Sequence, residues 1–224
     1  MLWRAALDAG WSVERLHGHR VPDGWVTQDA VFYGEGLLVD MMARQLDMAL
    51  FETPYDWLPN LPFEYRLRNV WLMALREARA LQERQFIKPA GEKTFDAGVY
   101  ATGAELPSAE YFEDATPTLV SEVVEWEIEF RGFVAERALQ TYAPYLRNGE
   151  LLKSEDEGWV TNVPEQGDAL AFFERILADE RVMVPPGIVL DIGKIRGKGW
   201  AVIEANPAWG SGIYGNNPHK YWLF

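Results

Sequence analysis

The stretch that most constrains this chain lies near its carboxyl end, where Val-Leu-Asp191-Ile-Gly193 is followed by Trp200-Ala-Val-Ile-Glu204-Ala-Asn206-Pro207. Both runs are rich in branched apolar residues, as a buried or half-buried strand requires, and the Gly-Lys-Ile-Arg-Gly-Lys-Gly between them carries turn chemistry. An antiparallel hairpin is the simplest fold for this pattern. Side chains two apart in a strand share a face, so Glu204 and Asn206 lie side by side and Asp191 can face them from the partner strand. Three hard oxygen donors then meet in a small volume. Carboxylates and an amide carbonyl suit Mg²⁺ or Mn²⁺, which takes its remaining ligands from water and substrate phosphates. The same spacing is also met by an aspartate that opens a turn, an exposed glutamate and an Asn-Pro strand end, and spacing alone leaves both readings open.

The rest of the chain narrows the chemistry available. With 224 residues and 48% hydrophobic content it can fill one large core or two small ones. There is no cysteine, which removes disulfides, thiolate nucleophiles and Cys-ligated zinc, so oxygen, nitrogen and metal remain. A formal charge of −13 opposes binding to nucleic acid, while a small phosphorylated ligand in a local pocket is still compatible. No apolar run approaches the roughly 20 residues that cross a bilayer, and the start lacks a basic-then-apolar secretion signal, so no membrane partner and a cytoplasmic location are expected. The acids are spread along the chain, densest from Glu150 to Glu157, which reads as a solvated loop or helix edge. The ten tryptophans are scattered, which favours core use over a stacking platform. His17, His19 and His219 show no metal-ligand or triad spacing, and neither a P-loop nor a Gly-x-Gly-x-x-Gly fingerprint is present.

Periodicity gives the order of elements. Leu2 to Leu16 reads as a short helix followed by a strand, residues 30–34 as a further strand, and 36–50 as a helix. The Pro-, Asn- and aromatic-rich stretch 51–63 marks a boundary near residue 63. The spacing predicts an amphipathic helix from Glu64 to Gln82 and a strand Phe86-Ile-Lys88-Pro89 ending in one lysine. A loop bracketed by Gly91 and Gly98 follows, then two strand-like runs at 118–127 and 128–134 that carry Glu122, Glu129 and Arg131. A strand near 139–145 and an amphipathic helix over 167–179 complete the series before the hairpin.

A strand-borne lysine, a glycine-bracketed loop, strands with an acid and an arginine, and an Asp…Glu-x-Asn hairpin, in that order, resemble the ATP-grasp superfamily. The resemblance covers about residues 64 to 224 and is nearest to the small R-two-K clade. It implies an α+β ATP-grasp fold, two subdomains holding nucleotide between antiparallel sheets, preceded by a reduced α/β unit over 1–63. It further implies that Lys88 reaches the nucleotide phosphates and that Lys93 and Thr94 close over them from the loop. Glu122, Val123 and Val124 would form the adenine hinge, with Val124 and Ile203 as apolar walls and Glu129 also on the nucleotide side. Arg131 would stabilise the transferred phosphoryl group, and Asp191, Glu204 and Asn206 would hold Mg²⁺ or Mn²⁺. The implied activity is ADP-forming carboxylate–amine ligation with Mg-ATP through an acyl-phosphate, on small carboxylates and amines such as amino acids or peptides. A phosphotransferase, or a nucleotide-binding module without turnover, stands as the alternative. Homodimerisation would supply an acceptor wall that so short an amino-terminal unit lacks.

Overall fold

The computed structural model describes residues 2–16, 18–22, 24–25, 30–91, 93–156 and 158–223. The amino-terminal part carries helices α1 (Leu2–Asp8) and α2 (Gly36–Gln45), followed by the single turns α3 (Trp57–Asn60) and α4 (Phe63–Arg66). The strands expected at 11–16 and 30–34 do not form. A strand must find a neighbour for its N–H and C=O groups, and every strand of both larger sheets comes from residue 70 onward.

The helix expected over Glu64 to Gln82 is also replaced. After α4 the backbone turns left-handed at Leu67, with φ of 46°, and the next residues form β1 (Val70–Ala74), then the turn α5 (Leu75–Ala78). Val70, Leu72 and Ala74 alternate as well as they fit a helical stripe, and tertiary pairing decides between the periods. β1 is joined by β2 (Gln85–Pro89), β3 (Gly98–Tyr100) and β4 (Pro117–Ser121) in an antiparallel four-stranded sheet of order β1-β4-β2-β3. One face of that sheet buries Ile87 and Val120 against Leu75, Ala78, Phe95 and Leu106. By the period of two, Phe86, Lys88, Leu119 and Ser121 point the other way.

The chain then crosses to a second sheet through residues 122–125, so the two runs read as consecutive strands lie in different sheets. β5 (Trp126–Ala135) and β6 (Ala138–Arg147) form a hairpin, and β7 (Glu150–Leu151) extends it. A small ribbon of β8 (Lys153–Ser154) and β9 (Gly158–Trp159) and the helix α6 (Gln166–Ala178) precede β10 (Gly187–Ile195) and β11 (Gly199–Pro207). The sheet order is β11-β10-β5-β6-β7. Ile128, Phe130, Ile188, Leu190, Ile192 and Val202 on one face pack against Phe172, Phe173 and Ile176 of α6 and Trp57, Leu58 and Tyr65 of the preceding turns. Each such side chain withdrawn from water contributes about 1.5–3 kcal/mol. A Cβ on Gly132 would lie 2.7 Å from Phe173, so α6 seats directly on the backbone there. The opposite face of the sheet presents the polar residues, and α1 covers part of it through Leu2, packed with Phe133 and Val189. Among the described residues no helix is long and apolar enough to cross a membrane.

Candidate functional site

The expected hairpin forms, with β10 and β11 antiparallel and Asp191 directly opposite Glu204. The register slips between Asp191 and Ile192, leaving Ile203 as an extra residue on β11. Such a bulge re-aims side chains, and both Ile203 and Glu204 line the cavity between the two sheets. Directly opposed residues share a face, so Asp191, Glu204 and Arg131, which pairs with Asp191 across β5 and β10, all project to the polar side.

Charge pairs organise this face. Arg131 donates from Nε and Nη2 to the two oxygens of Asp191 at 2.9 and 2.7 Å, and from Nη1 to the Gly212 carbonyl at 3.0 Å. Its plane lies over the rings of Tyr214 and Tyr145, 4.5 and 5.5 Å from their centroids. Burial pushes the fully enclosed Asp191 carboxyl up to about 6, with the Arg131 contact pulling the other way. Glu129, also on this face, accepts a 2.8 Å hydrogen bond from the Tyr145 hydroxyl. Burial holds its pKa above the usual carboxylate range, with Asp191 and Glu204 adding to the rise.

Across the cleft, the Lys88 ammonium of β2 donates to Glu204 Oε2, and Asn206 Nδ2 donates to Glu204 Oε1 at 2.8 Å. Burial would raise the Glu204 pKa, but Lys88 outweighs it and holds the group down at about 2. Of the residues anticipated from sequence, Lys88, Glu204 and Asn206 thus form one cluster and Arg131 and Asp191 a second beside it. Lys93 and Thr94 are exposed on the loop before β3, and neither is among the residues that line the cavity. Glu92 of that loop, His17 and Glu157 lie outside the described residues.

The cavity has a volume of about 160 Å³. Phe86, Val99 and Leu119 wall it from the first sheet, Trp126 and Ile203 from the second, and Val123 and Val124 from the crossing segment. Glu122 is tied down rather than free: its carboxylate accepts from the Asn69 N–H at 3.0 Å and the Asn69 amide at 2.9 Å. Among the described residues the peptide groups of Val123 and Val124 make no hydrogen bond. The crossing segment therefore offers an unused main-chain edge between apolar walls.

Arg68 is a structural residue that the sequence pattern does not mark. It is buried at 5% exposure and straps the two sheets, donating to Ser121 Oγ at 3.2 Å and to the Val202 and Ile203 carbonyls at 2.7 and 3.1 Å. Its guanidinium sits 5.0 Å from the Trp126 ring centroid, and burial draws its pKa down to about 10. An arginine in a Leu-Arg-Asn context before a short strand carries no signal that separates it from a surface residue. Lys194, near the end of β10, and Arg196, in the hairpin turn, pair with Glu127 and Glu125.

The donor set can be tested for a hard divalent cation. Two carboxylates and an amide are the right chemistry, although among the described residues no three His, Asp or Glu side chains converge as a ready cation site. Glu204 and Asn206 fit once Lys88 moves aside, whereas Asp191 must first part from Arg131.

Two antiparallel sheets wall the cleft, with a lysine on one and carboxylates on the other. The family model of the ATP-grasp domain, R-two-K clade family 2, matches residues 65–223, and the chain belongs to that family. Solved ATP-grasp structures match at TM-scores below 0.5. The D-alanine–D-alanine ligase from Bacillus anthracis, complexed with ATP, matches at 12% identity and a TM-score of 0.45 over 81% of this chain and 70% of that one. The ATP-grasp ligase PsnB, complexed with a minimal precursor, matches at 14% identity and a TM-score of 0.44 over 80% of this chain and 62% of that one. A Chryseobacterium gregarium RiPP-associated ATP-grasp ligase, in complex with ADP and a leader and core peptide, matches at 14% and 0.37 over 71% and 50%. The chain thus spans less than two thirds of the length of PsnB and of the C. gregarium ligase. No curated protein matches its sequence.

Proposed function

We propose that the chain is a Mg-ATP-dependent carboxylate–amine ligase whose nucleotide lies in the cleft between the two sheets. The observation that carries this reading is the division of the cleft into two unlike ends. At one end, the unused peptide edge of Val123 and Val124 between Ile203, Phe86 and Trp126 suits a flat heterocycle that both donates and accepts hydrogen bonds. At the other, Lys88, Glu204, Asp191 and Arg131 form a charged cluster suited to polyphosphate.

In the proposed reaction a substrate carboxylate oxygen attacks the terminal phosphorus of ATP and ADP leaves. An amine then attacks the acyl carbon, releases phosphate and loses a proton. Lys88 serves as a point charge on the phosphates, and Arg131, fixed by Asp191 and near enough to lower the Glu204 pKa, adds a second positive charge beside them. A divalent cation held by Glu204 and Asn206, with Asp191 behind them, would neutralise charge on the terminal phosphates. Lys93 and Thr94, on the exposed loop, are the candidates to close over the nucleotide and exclude water. Amino acids and small peptides are the substrates to test first. Residues 1–63 form the reduced leading unit and 64–224 the catalytic domain in this proposal.

The test is ADP release with Mg²⁺ across pools of amino acids and small carboxylic acids, with and without amines, comparing wild type with Glu204→Gln. Release only when acid and amine are both present, lost in the variant, is expected. Release from a hydroxyl acceptor with no amine would point to phosphotransfer instead, and nucleotide binding with no release in any pool would point to a binding module.

A further inference from the structure

The four carboxylate oxygens of Asp191 and Glu204 are all taken by protein donors: both of Asp191 by Arg131, and one each of Glu204 by Lys88 and Asn206. The Lys88–Glu204 contact differs from the other two. Arg131 and Asp191 sit on neighbouring strands of one sheet, and Asn206 and Glu204 on the same strand, but Lys88 belongs to the first sheet and Glu204 to the second. This pair ties the two walls of the cleft together at its charged end. Its side chains are only 21% and 29% exposed, so breaking it without replacing both partners leaves a poorly hydrated charge.

A phosphate entering the cleft needs the Lys88 ammonium, and a cation needs an oxygen of Glu204. A nucleotide without a cation takes Lys88 and faces an abandoned carboxylate. A cation without a nucleotide takes Glu204 and strands an ammonium. When both arrive, each half of the broken pair receives a new counter-charge.

We propose that Lys88–Glu204 is an exchangeable latch that makes the nucleotide and the divalent cation bind as a unit. Lys88 passes from Glu204 to phosphate as Glu204 passes from Lys88 to the cation. The latch rests on the adenine-nucleotide reading given above and adds to it a specific penalty against metal-free nucleotide. Coupling between two ligands is reciprocal, so the factor by which cation tightens nucleotide must equal the factor by which nucleotide tightens cation.

The experiment is calorimetric titration of ADP into wild type and Glu204→Gln, in chelator and in Mg²⁺. Replacing the carboxylate by its neutral isostere removes the latch and the repulsion together. Metal-free ADP should bind the variant about tenfold tighter than wild type, and the gain from Mg²⁺, about tenfold or more in wild type, should shrink to about threefold or less. Metal-free ADP binding the variant no tighter than wild type, or an equal Mg²⁺ gain in both, would overturn the latch. Wild type that binds no ADP in either condition would fail the nucleotide reading itself, a distinct result. A second measurement needs no variant: Mg²⁺ titrated into wild type with and without ADP should show the same coupling factor, and equal Mg²⁺ affinity in both would again overturn it.

Discussion

Asp191 and Arg131 offer an asymmetric test of how the charged end is built. Asp191 is fully enclosed and Arg131 is 7% exposed, and two of the guanidinium's N–H donors are spent on the one carboxylate. Asp191→Asn keeps the shape, but its amide nitrogen confronts a guanidinium N–H and the positive charge loses its counter-ion. Arginine cannot shed its proton in a protein, so the variant carries an uncompensated buried charge at about 3–5 kcal/mol. With a urea slope near 3 kcal/mol/M, the unfolding midpoint falls by roughly 1–2 M. Arg131→Met is the milder lesion, because the stranded carboxyl can take up a proton. Its pKa already stands at about 6 with the arginine present and rises further without it. At pH 5 the acid is neutral, and the cost reduces to an unsatisfied polar group of about 1–3 kcal/mol. Urea unfolding of both variants at pH 7 and pH 5 checks this: Asp191→Asn should show its full cost at pH 7, where the wild-type carboxylate is ionised, and the Arg131→Met cost should fall from pH 7 to pH 5. An Asp191→Asn cost under about 1 kcal/mol at pH 7, or an Arg131→Met cost that does not fall at pH 5, would refute the reasoning.

Further outcomes follow from the same geometry. The folded-state pKa of Glu204 lies at about 2, below its ordinary 4.5, so its ion pair stabilises the protein above pH 4.5 and loses that contribution as pH falls toward 2. The stability advantage of wild type over Glu204→Gln, at most about 3 kcal/mol, should therefore shrink across that window in pH-dependent unfolding. A Cβ at Gly193 would lie 2.7 Å from Trp126 Cε3 and 3.0 Å from Ile203 Cδ1. Gly193→Ala should cost about 1–3 kcal/mol and weaken nucleotide binding as well, and wild-type affinity in that variant would contradict the place of Trp126 and Ile203 in the nucleotide wall. In Arg68→Lys an ammonium cannot span Ser121 and two carbonyls at once, so thermal or urea unfolding should show a loss of about 1–3 kcal/mol.

Much of the fold is legible in the sequence where local pattern and tertiary demand agree. The Asp191/Glu204 hairpin, the Lys88 strand, the strand carrying Arg131 and helix α6 are each marked by apolar runs or helical spacing between turn signals, and apolar residues of each lie in the cores found. Val70 to Ala74 reads as helix from the sequence because its apolar residues satisfy both the helical and the strand period, and only pairing with β4 settles it. Residues 11–16 and 30–34 alternate like strands, yet among the described residues neither stretch joins a sheet. The partners of the charged groups are hidden for a different reason. Arg131 could be assigned to a local glutamate or to phosphate, and its bond to Asp191 arises from a register 60 residues apart in sequence. Arg68 and the Lys88–Glu204 contact are likewise set by how the two sheets close on each other, which no local window contains.

The central claim is that the cleft between the sheets holds an adenine nucleotide with its phosphates at Lys88. Calorimetric titration of Mg-ATP into wild type and Lys88→Met tests it most directly. One nucleotide bound per chain, with the variant weakened about tenfold or more, is the predicted result. No heat of binding in wild type, or equal affinity in the two proteins, would contradict it.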